Sequence, residues 1–240
     1  MAIRGILFDL DFTLVDNDVG WRQLWPAVAE RFAERYPGFD PEEFQARSYA
    51  FADGHYELLL RGDIDYDTYR RDYVRHGLEP WGELDDELYS AYSDARMRSV
   101  DLIELFEDAL GTVRSLRADG IKIGILTNGP SELQRRKLRL IGIEHEVDAV
   151  AISEEIGVSK PDPEAYAKAI AMLGLPADEV AMVGDHVVND VAGALAAGLA
   201  AAVWVERRPG EELPEGAHLA QELAEVPRLL GLNGSDIPDG

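Results

Sequence analysis

Short apolar runs recur along most of the chain, and each is followed at once by polar residues or glycine. They lie at residues 3–8, 121–126, 147–152, 180–183 and 201–205. Short runs bounded by turn residues are typical of buried strands. Helical spacing of apolar residues follows at 102–118, from residue 131 onward, at 163–173 and at 187–197. Strands that alternate with helices predict an α/β fold with a parallel sheet of five or more strands.

Residues 17–100 show a different pattern. Aromatic residues and arginines alternate there with acids at helical spacing, as at Trp21, Trp25 and Phe32. This pattern is typical of amphipathic helices, and no segment reads as a convincing strand. We therefore predict a core made of residues 1–16 and 101–232, interrupted by an all-helical insert at 17–100. Residues 233–240 are predicted to form a flexible tail.

Composition and charge narrow the classes of partner. The 240 residues include 46 acids against 23 Lys and Arg, and the net charge is -23. Such a charge disfavours nucleic-acid polymers and anionic membranes as partners. No apolar stretch approaches the roughly 20 residues needed to span a bilayer, and the first apolar run is too short for a signal peptide. We expect a cytoplasmic monomer or homodimer that acts on a small molecule.

The absence of cysteine limits the possible chemistry. With no cysteine in the chain, disulfides, thiolate catalysis and Cys-type zinc sites are excluded. Any catalytic or metal site must therefore use oxygen and nitrogen groups.

Polar side chains that could take part in catalysis or ligand binding follow four of the predicted strands. They are Asp9 and Asp11 after the first strand, Thr127 and Asn128 after the second, Lys160 after the third, and Asp185 and Asp190 after the fourth. Ligands of parallel sheets bind outside the carboxyl ends of the strands, so these groups are expected to meet. Carboxylate oxygens suit Mg²⁺, a carboxylate beside the metal can act as a nucleophile, and backbone N–H groups of a turn suit phosphate oxygens.

Each of these residues also has an ordinary structural explanation when it is taken alone. Asp185 would serve as a helix N-cap, Thr127-Asn128 as a turn, and Lys160 as a solvated loop residue. Asp9 and Asp11 are harder to explain in this way, because paired acids directly after a buried strand are costly without a function. The joint occurrence of all four groups therefore favours a functional site.

Read together, these motifs resemble the haloacid dehalogenase superfamily, in the branch with a helical cap inserted after the first strand. The segment Asp9-Leu10-Asp11-Phe12-Thr13 matches the first motif of that family, and Thr127 matches the second. Lys160 in Ser-Lys-Pro-Asp-Pro matches the third, and Gly184-Asp185 with Asn189-Asp190 matches the fourth. The resemblance covers nearly the whole chain and implies a Rossmann-like catalytic core.

The resemblance also implies a role for each matching residue. Asp9 would attack phosphorus and form an aspartyl phosphate, while Asp11 would protonate the leaving oxygen and then activate water. Mg²⁺ would be held by the side chains of Asp9 and Asp185 and by the backbone carbonyl of Asp11.

The remaining matches concern phosphate and charge. Thr127 and the amide of Asn128 would bind phosphoryl oxygens, Lys160 would offset negative charge, and Asp190 would support Lys160 or reach the metal through a water. Phe12 is a departure, since the relatives more often have a small or polar residue there.

Several functions share these motifs. We expect an Mg²⁺-dependent phosphatase acting on a phosphomonoester, with a phosphosugar mutase, a 2-haloacid dehalogenase and a non-catalytic binding protein as alternatives. The dehalogenases of the family lack an acid two residues after the nucleophile and need no metal, so Asp11 and Asp185 argue against that chemistry. The segment from Leu126 to Pro161 is similar to the N-acylneuraminate-9-phosphatase branch and to house-cleaning 5′-nucleotidases, which suggests a sugar phosphate or a 5′-nucleotide.

Overall fold

The computed structural model describes residues 2–60, 62–207 and 212–232, so the predicted tail at 233–240 lies outside the described residues. The chain divides into two compact units. The core unit comprises Met1–Asp16 and Ile103–Gly240, and the helical insert comprises Asn17–Leu102. Each unit has its own buried apolar cluster or clusters, and each is described by itself below.

The core unit is built on a parallel sheet. In the described part of the chain its strands are β1 (Gly5–Phe8), β2 (Val15–Asp16), β3 (Glu104–Leu105), β4 (Lys122–Thr127), β5 (Ala149–Ile152), β6 (Val180–Gly184), β7 (Ala201–Val205) and β8 (His218–Ala220). Six of them form one sheet in the order β5-β4-β1-β6-β7-β8, and every pairing in it is parallel. The predicted α/β fold with a parallel sheet and a helical insert is therefore confirmed.

β1 lies in the middle of this sheet because all of its residues are apolar or small and are buried. Side chains alternate between the two faces of a strand. Ile6 and Phe8 accordingly join one apolar cluster, and Leu7 joins the cluster on the opposite face. Helices cover both faces, as is usual for parallel sheets. This central position brings the residue after Phe8 to the carboxyl edge of the sheet, between β4 and β6.

The helices of the core unit follow the strands in sequence. In the described residues they are α5 (Ala109–Ala118), α6 (Ser131–Ile141), α7 (Ser153–Ile156), α8 (Pro163–Leu173), α9 (Gly193–Ala196) and α10 (Val226–Leu229). Val187–Ala192, immediately before α9, is wound as a wider π-type helix. Short 3₁₀ turns occupy Ile143–Glu146, Ala177–Glu179 and Leu223–Glu225.

Two sequence-based predictions differ from the structure in detail. The helix predicted over 102–118 begins only at Ala109, because Glu104–Leu105 pairs instead with Val15–Asp16 as a small antiparallel ribbon. β8 was not predicted, because its three residues are too short a run to signal a strand. β8 is held by its pairing with β7 rather than by its own composition.

The helical insert contains α1 (Asp18–Arg35), α2 (Pro41–Leu60), α3 (Tyr66–Leu78) and α4 (Asp86–Ser99), followed by a 3₁₀ turn at Val100–Leu102. Asp65 and Asp85 act as N-caps of α3 and α4, since their carboxylates accept hydrogen bonds from backbone N–H groups of the first turn. Most of the aromatic residues pack in the interior of the insert, where Phe32 and Phe44 lie 5.7 Å apart between ring centres. Among the described helices, none combines the length and the apolar character that a membrane crossing requires.

Candidate active site

Asp9 is the first residue after β1 at the carboxyl edge of the sheet. Its backbone N–H donates to the carbonyl of Val183 on β6 at 2.9 Å, which continues the strand pairing to this point. The residue is only 7% exposed. A buried carboxylate requires compensation by a cation or by hydrogen bonds, so its neighbours decide its chemical state.

Lys160 supplies that compensation. Its Nζ lies 2.6 Å from Oδ1 of Asp9 and 2.6 Å from Oδ1 of Asp190. Lys160 is 2% exposed and Asp190 is 1% exposed, so the three groups form a buried ion triad. The backbone N–H of His186 donates to the second oxygen of Asp190 at 3.0 Å. Asp190 therefore holds the ammonium group of Lys160 against Asp9.

The acidity of Asp9 reflects this environment. The pKa of Asp9 is raised to about 7 as the net result of several effects: burial raises it most, Lys160 lowers it, and the carboxylates of Asp190 and Asp11 add to the rise. Burial works against the charged form of Lys160, but the two carboxylates outweigh it and hold the pKa of Lys160 above its ordinary value. Lys160 is thus a permanent cation, and Asp9 is a carboxylate that a further cation would hold in its ionised form.

Asp185, at the end of β6, brings a further carboxylate to this place. One oxygen each from Asp9, Asp185 and Asp190 lie within 4.8 Å of one another. The hydroxyl of Thr13 is 3.4 Å from an oxygen of Asp9 and 3.4 Å from one of Asp185, and bridges the two. The indole N–H of Trp204 donates to the backbone carbonyl of Asp185 at 2.9 Å and orients the loop after β6.

The donor set fits a hard divalent cation. Carboxylate oxygens are the preferred protein ligands of Mg²⁺. Lys160 pairs with Asp9 and Asp190, and Lys137 pairs with Asp11. A divalent cation would stabilise the ionised carboxylates of Asp9, Asp185 and Asp190, whose oxygens lie close together. Asp9 and Asp185 would be its first side-chain ligands, and Asp190 holds Lys160.

Asp11 is held by residues that the sequence analysis did not single out. Nζ of Lys137 lies 2.6 Å from one oxygen of Asp11, and Nε2 of Gln134 donates to the other at 2.9 Å. Both residues are on α6 and both are buried. They are three residues apart, so they share one face of the helix. The spacing indicates that the two side chains share a face, but no local pattern in the sequence points that face toward Asp11.

The turn after β4 is tied to the same groups. Nε2 of Gln134 also lies 2.6 Å from the hydroxyl oxygen of Thr127, so one amide links Thr127 to Asp11. The side chain of Asn128 accepts from the backbone N–H of Lys160 and donates to its carbonyl, both at 2.9 Å. The structure therefore brings together all seven residues predicted from the four strand ends.

The loop that carries Asp11 has an unusual backbone. Phe12 has φ 61°, in the left-handed region that non-glycine residues rarely adopt. Arg207, which follows β7, donates to the backbone carbonyls of Phe12 at 3.1 Å and of Thr13 at 3.2 Å. Its guanidinium lies 3.7 Å from the ring centre of Phe106. Burial lowers the pKa of Arg207. Its two hydrogen bonds to backbone carbonyls stabilise the strained loop.

Comparison with known proteins agrees with the family resemblance that the four motifs indicate. A family model described as haloacid dehalogenase-like hydrolase matches residues 3–198. The phosphoserine phosphatase of Thermus thermophilus is 38% identical over 152 residues, which are 62% of this chain. The matched part spans only 59% of that relative, less than two thirds of its length.

Other relatives match over nearly the whole chain. The human N-acylneuraminate-9-phosphatase is 29% identical and the match covers 95% of this chain and 94% of that protein. The pyrimidine 5′-nucleotidase YjjG of Escherichia coli is 28% identical, with coverages of 94% and 96%. Among solved structures, the HAD-hydrolase YfnB from Bacillus subtilis has a TM-score of 0.75 at 21% identity, covering 97% of this chain and 100% of that chain. At this identity the likeness shows the fold.

Proposed function

Because this chain belongs to the haloacid dehalogenase-like hydrolase family, we propose that it is an Mg²⁺-dependent phosphatase that hydrolyses a small phosphomonoester through an aspartyl phosphate. The family resemblance read from the four motifs is confirmed by the match over residues 3–198, and the chain is a hydrolase. The observation that carries the phosphatase proposal is the cluster of carboxylates of Asp9, Asp185 and Asp190, two of which, Asp9 and Asp190, pair with the buried ammonium group of Lys160.

The proposed chemistry assigns the nucleophile to Asp9. An oxygen of its carboxylate attacks phosphorus, the bond from phosphorus to the ester oxygen breaks, and the departing oxygen takes a proton from Asp11. A water molecule then loses a proton to Asp11 and attacks the aspartyl phosphate, which releases inorganic phosphate and restores Asp9. Lys137 and Gln134 hold the carboxylate of Asp11, so its position is defined before substrate binds.

Charge balance determines the roles of the other groups. Thr127 and the backbone N–H of Asn128 bind phosphoryl oxygens, next to the N-terminus of α6. Lys160 offsets the negative charge of Asp9 and of the transferred group. Asp9 and Asp185, with the backbone carbonyl of Asp11, would hold Mg²⁺, and Asp190 positions Lys160. The metal would contribute charge neutralisation of the phosphoryl oxygens; the solved Bacillus subtilis HAD-hydrolase is described as bound to magnesium.

The substrate class is proposed from the relatives that match over the insert as well as the core. The N-acylneuraminate-9-phosphatase and the pyrimidine 5′-nucleotidase do so, whereas the phosphoserine phosphatase matches over 62% of this chain. We therefore favour a sugar phosphate or a 5′-nucleotide. Asp11 favours phosphoryl transfer over carbon–halogen hydrolysis, since it supplies the acid that an ester oxygen needs on departure.

A phosphate-release screen over sugar phosphates, 5′-nucleotides and phosphoserine tests this proposal. Each substrate is assayed with Mg²⁺, with EDTA, and with EDTA followed by excess Mg²⁺. We expect activity only when the metal is present, with recovery on its return, because the clustered carboxylates of Asp9, Asp185 and Asp190 would repel a phosphate ester without it. Full activity in EDTA, or halide release from 2-chloropropionate without phosphate release from any ester, would contradict the phosphatase assignment.

Gly184 provides a test of how Asp190 and Lys160 are positioned. A Cβ at this residue would lie 2.3 Å from Cγ and 2.3 Å from Oδ2 of Asp190. We expect Gly184→Ala to displace Asp190, to lower kcat, and to lower the free energy of unfolding by about 1–3 kcal/mol. Urea unfolding and phosphate release measure the two effects.

Gly111→Ala is the matched control. Gly111 lies on the exposed side of α5, and a Cβ there meets no atom within 4 Å. We expect unchanged activity and a gain in unfolding free energy of about 0.5–1 kcal/mol. Wild-type kcat in Gly184→Ala would show that the close approach to Asp190 does not matter for catalysis.

A further inference from the structure

Two arginines of the helical insert contact aromatic rings instead of acids. The guanidinium carbon of Arg96, on α4, lies 4.4 Å from the ring centre of Trp21. That of Arg70, on α3, lies 4.5 Å from the ring centre of Tyr66, and its Nη1 donates to the hydroxyl of Ser93 at 2.9 Å. Among the described residues, neither guanidinium forms an ion pair with a carboxylate.

This arrangement is unusual within the insert. Other arginines there pair with acids at 2.6–3.0 Å, namely Arg31 with Glu87, Arg47 with Glu79 and Arg71 with Asp86. The whole chain has 46 acids against 23 Lys and Arg, so a partner for every arginine would be easy to provide. A partly buried cation without an anion loses hydration and gains no ion pair in return. The two arginines therefore have unused capacity to bind an anion.

Tyrosines surround these two cations. Arg96 interacts electrostatically with the hydroxyl groups of Tyr49, Tyr66, Tyr73 and Tyr92. Burial raises the pKa of Tyr92 to about 12 and also raises that of Tyr73, so both rings are uncharged at neutral pH. We call the six residues Tyr49, Tyr66, Arg70, Tyr73, Tyr92 and Arg96 the Arg96 cluster. Its two guanidinium groups face phenol groups, and in the described part of the insert neither pairs with a carboxylate.

The Arg96 cluster is open to solvent on one side. Tyr49 is 40% exposed and Tyr66 is 36% exposed, while Tyr92 lies in the interior. Arg96 is half-buried, so its exposure is intermediate between that of Tyr92 and that of Tyr49 and Tyr66. A small ligand could therefore approach the cluster on the side of Tyr49 and Tyr66, where the rings would partly shield it from water.

We propose that the Arg96 cluster binds the carboxylate or phosphate group of a small organic anion. A guanidinium offers a planar fork of N–H donors that matches both groups, and such charge-assisted hydrogen bonds are stronger than neutral ones. Tyrosine hydroxyls add donors, and their rings pack against the carbon skeleton of the ligand. The anion would supply the negative charge that the described residues of the insert do not bring to Arg70 and Arg96.

Calorimetric titration of the full-length protein in EDTA, where turnover is prevented, tests this site. The probes are malonate, which carries carboxylates only, and phosphoglycolate, which carries a carboxylate and a phosphate. We expect at least one probe to bind wild type, and its Kd to rise about tenfold in Arg96→Gln, the effect of losing a charge-assisted hydrogen bond. Arg96→Lys keeps the charge without the fork and is expected to give an intermediate Kd.

Arg98→Gln is the matched control, since Arg98 is an exposed arginine on the same helix. Its Kd values are expected to equal those of wild type, and thermal melting checks that every variant is folded. Equal Kd values in wild type and Arg96→Gln would overturn the proposal, as would failure of both probes to bind wild type. Competition by malonate against p-nitrophenyl phosphate hydrolysis would identify the anion as part of the substrate, and its absence would identify a separate ligand. Because binding is measured without turnover, failure here is distinguishable from failure of the phosphatase proposal.

Discussion

Asp9→Asn is expected to reduce phosphate release from p-nitrophenyl phosphate in Mg²⁺ by at least ~10³-fold, as is usual when a nucleophile is removed. An amide has no negative oxygen with which to attack phosphorus and is a poor ligand for the metal. The fold should persist, because the amide oxygen can still accept the hydrogen bond that Lys160 donates to Asp9 at 2.6 Å. Burial raises the pKa of Asp9 to about 7, so a neutral group at this position relieves a desolvation cost.

The measurement is initial-rate phosphate release together with thermal melting. Asp178→Asn makes the same chemical change at an exposed residue and is expected to leave both unchanged. A second variant, Asp11→Asn, is expected to accumulate the phosphorylated form of Asp9 from an activated ester, detectable by mass spectrometry of the peptide. Near wild-type activity in Asp9→Asn would rule out the proposed nucleophile.

Lys160→Met is expected to be the most destabilising substitution in the core unit. It removes the cation between Asp9 and Asp190, which lie on either side of Nζ at 2.6 Å. Breaking a buried ion pair by removing one partner costs about 3–5 kcal/mol, because it leaves charge buried without compensation. Activity is expected to fall at least ~10²-fold, since charge stabilisation of the transferred group is lost.

The effect on stability should depend on pH. The folded-state pKa of Asp9 is already raised above its value in the unfolded chain, and loss of Lys160 raises it further. The cost of the substitution is therefore full above the higher pKa that Asp9 has in the variant. It shrinks as the pH falls from that pKa to about 7, and it levels off below about 7, where Asp9 takes up a proton in the wild type as well. Urea unfolding in EDTA at pH 8 and pH 5 measures the difference.

Lys168→Met is the control for this substitution. Lys168 is a partly exposed lysine on α8. It pairs with Glu164 at 2.8 Å and donates to the carbonyl of Ile156 at 2.8 Å, and such surface pairs contribute about 0–1 kcal/mol. We expect its effect to be small and independent of pH in this range. A loss below 1 kcal/mol in Lys160→Met at pH 8, with activity retained, would contradict the central role of the buried triad.

The substitution experiments address residues that the sequence alone could identify. Asp9, Lys160, Asp185 and Asp190 follow predicted strands, and strand ends of a parallel sheet converge on one edge whatever the details of packing. Apolar runs identify β1, β4 and β6 because a strand buried on both faces needs continuous apolar character. The α/β fold and the presence of a helical insert were therefore predictable from local patterns.

Other members of the site depend on tertiary structure. Lys137 and Gln134 look like ordinary polar residues of an amphipathic helix, and only the packing of α6 turns them toward Asp11. Arg207 lies about 195 residues after Phe12, whose carbonyl it contacts, and no local pattern connects them. Likewise, the pairing of Glu104–Leu105 with Val15–Asp16 decides where α5 begins.

The segment from Phe8 to Thr13 illustrates both what the sequence determines and what only the tertiary structure decides. Its sequence determined that two carboxylates follow a buried strand, and therefore that a cation or a proton must lie near them. Only the tertiary structure decided which group compensates each one, with Lys160 at Asp9 and Lys137 at Asp11. The reason is that burial and ion pairing depend on groups more than 100 residues away in the chain, and their positions are set by the packing of the sheet and α6.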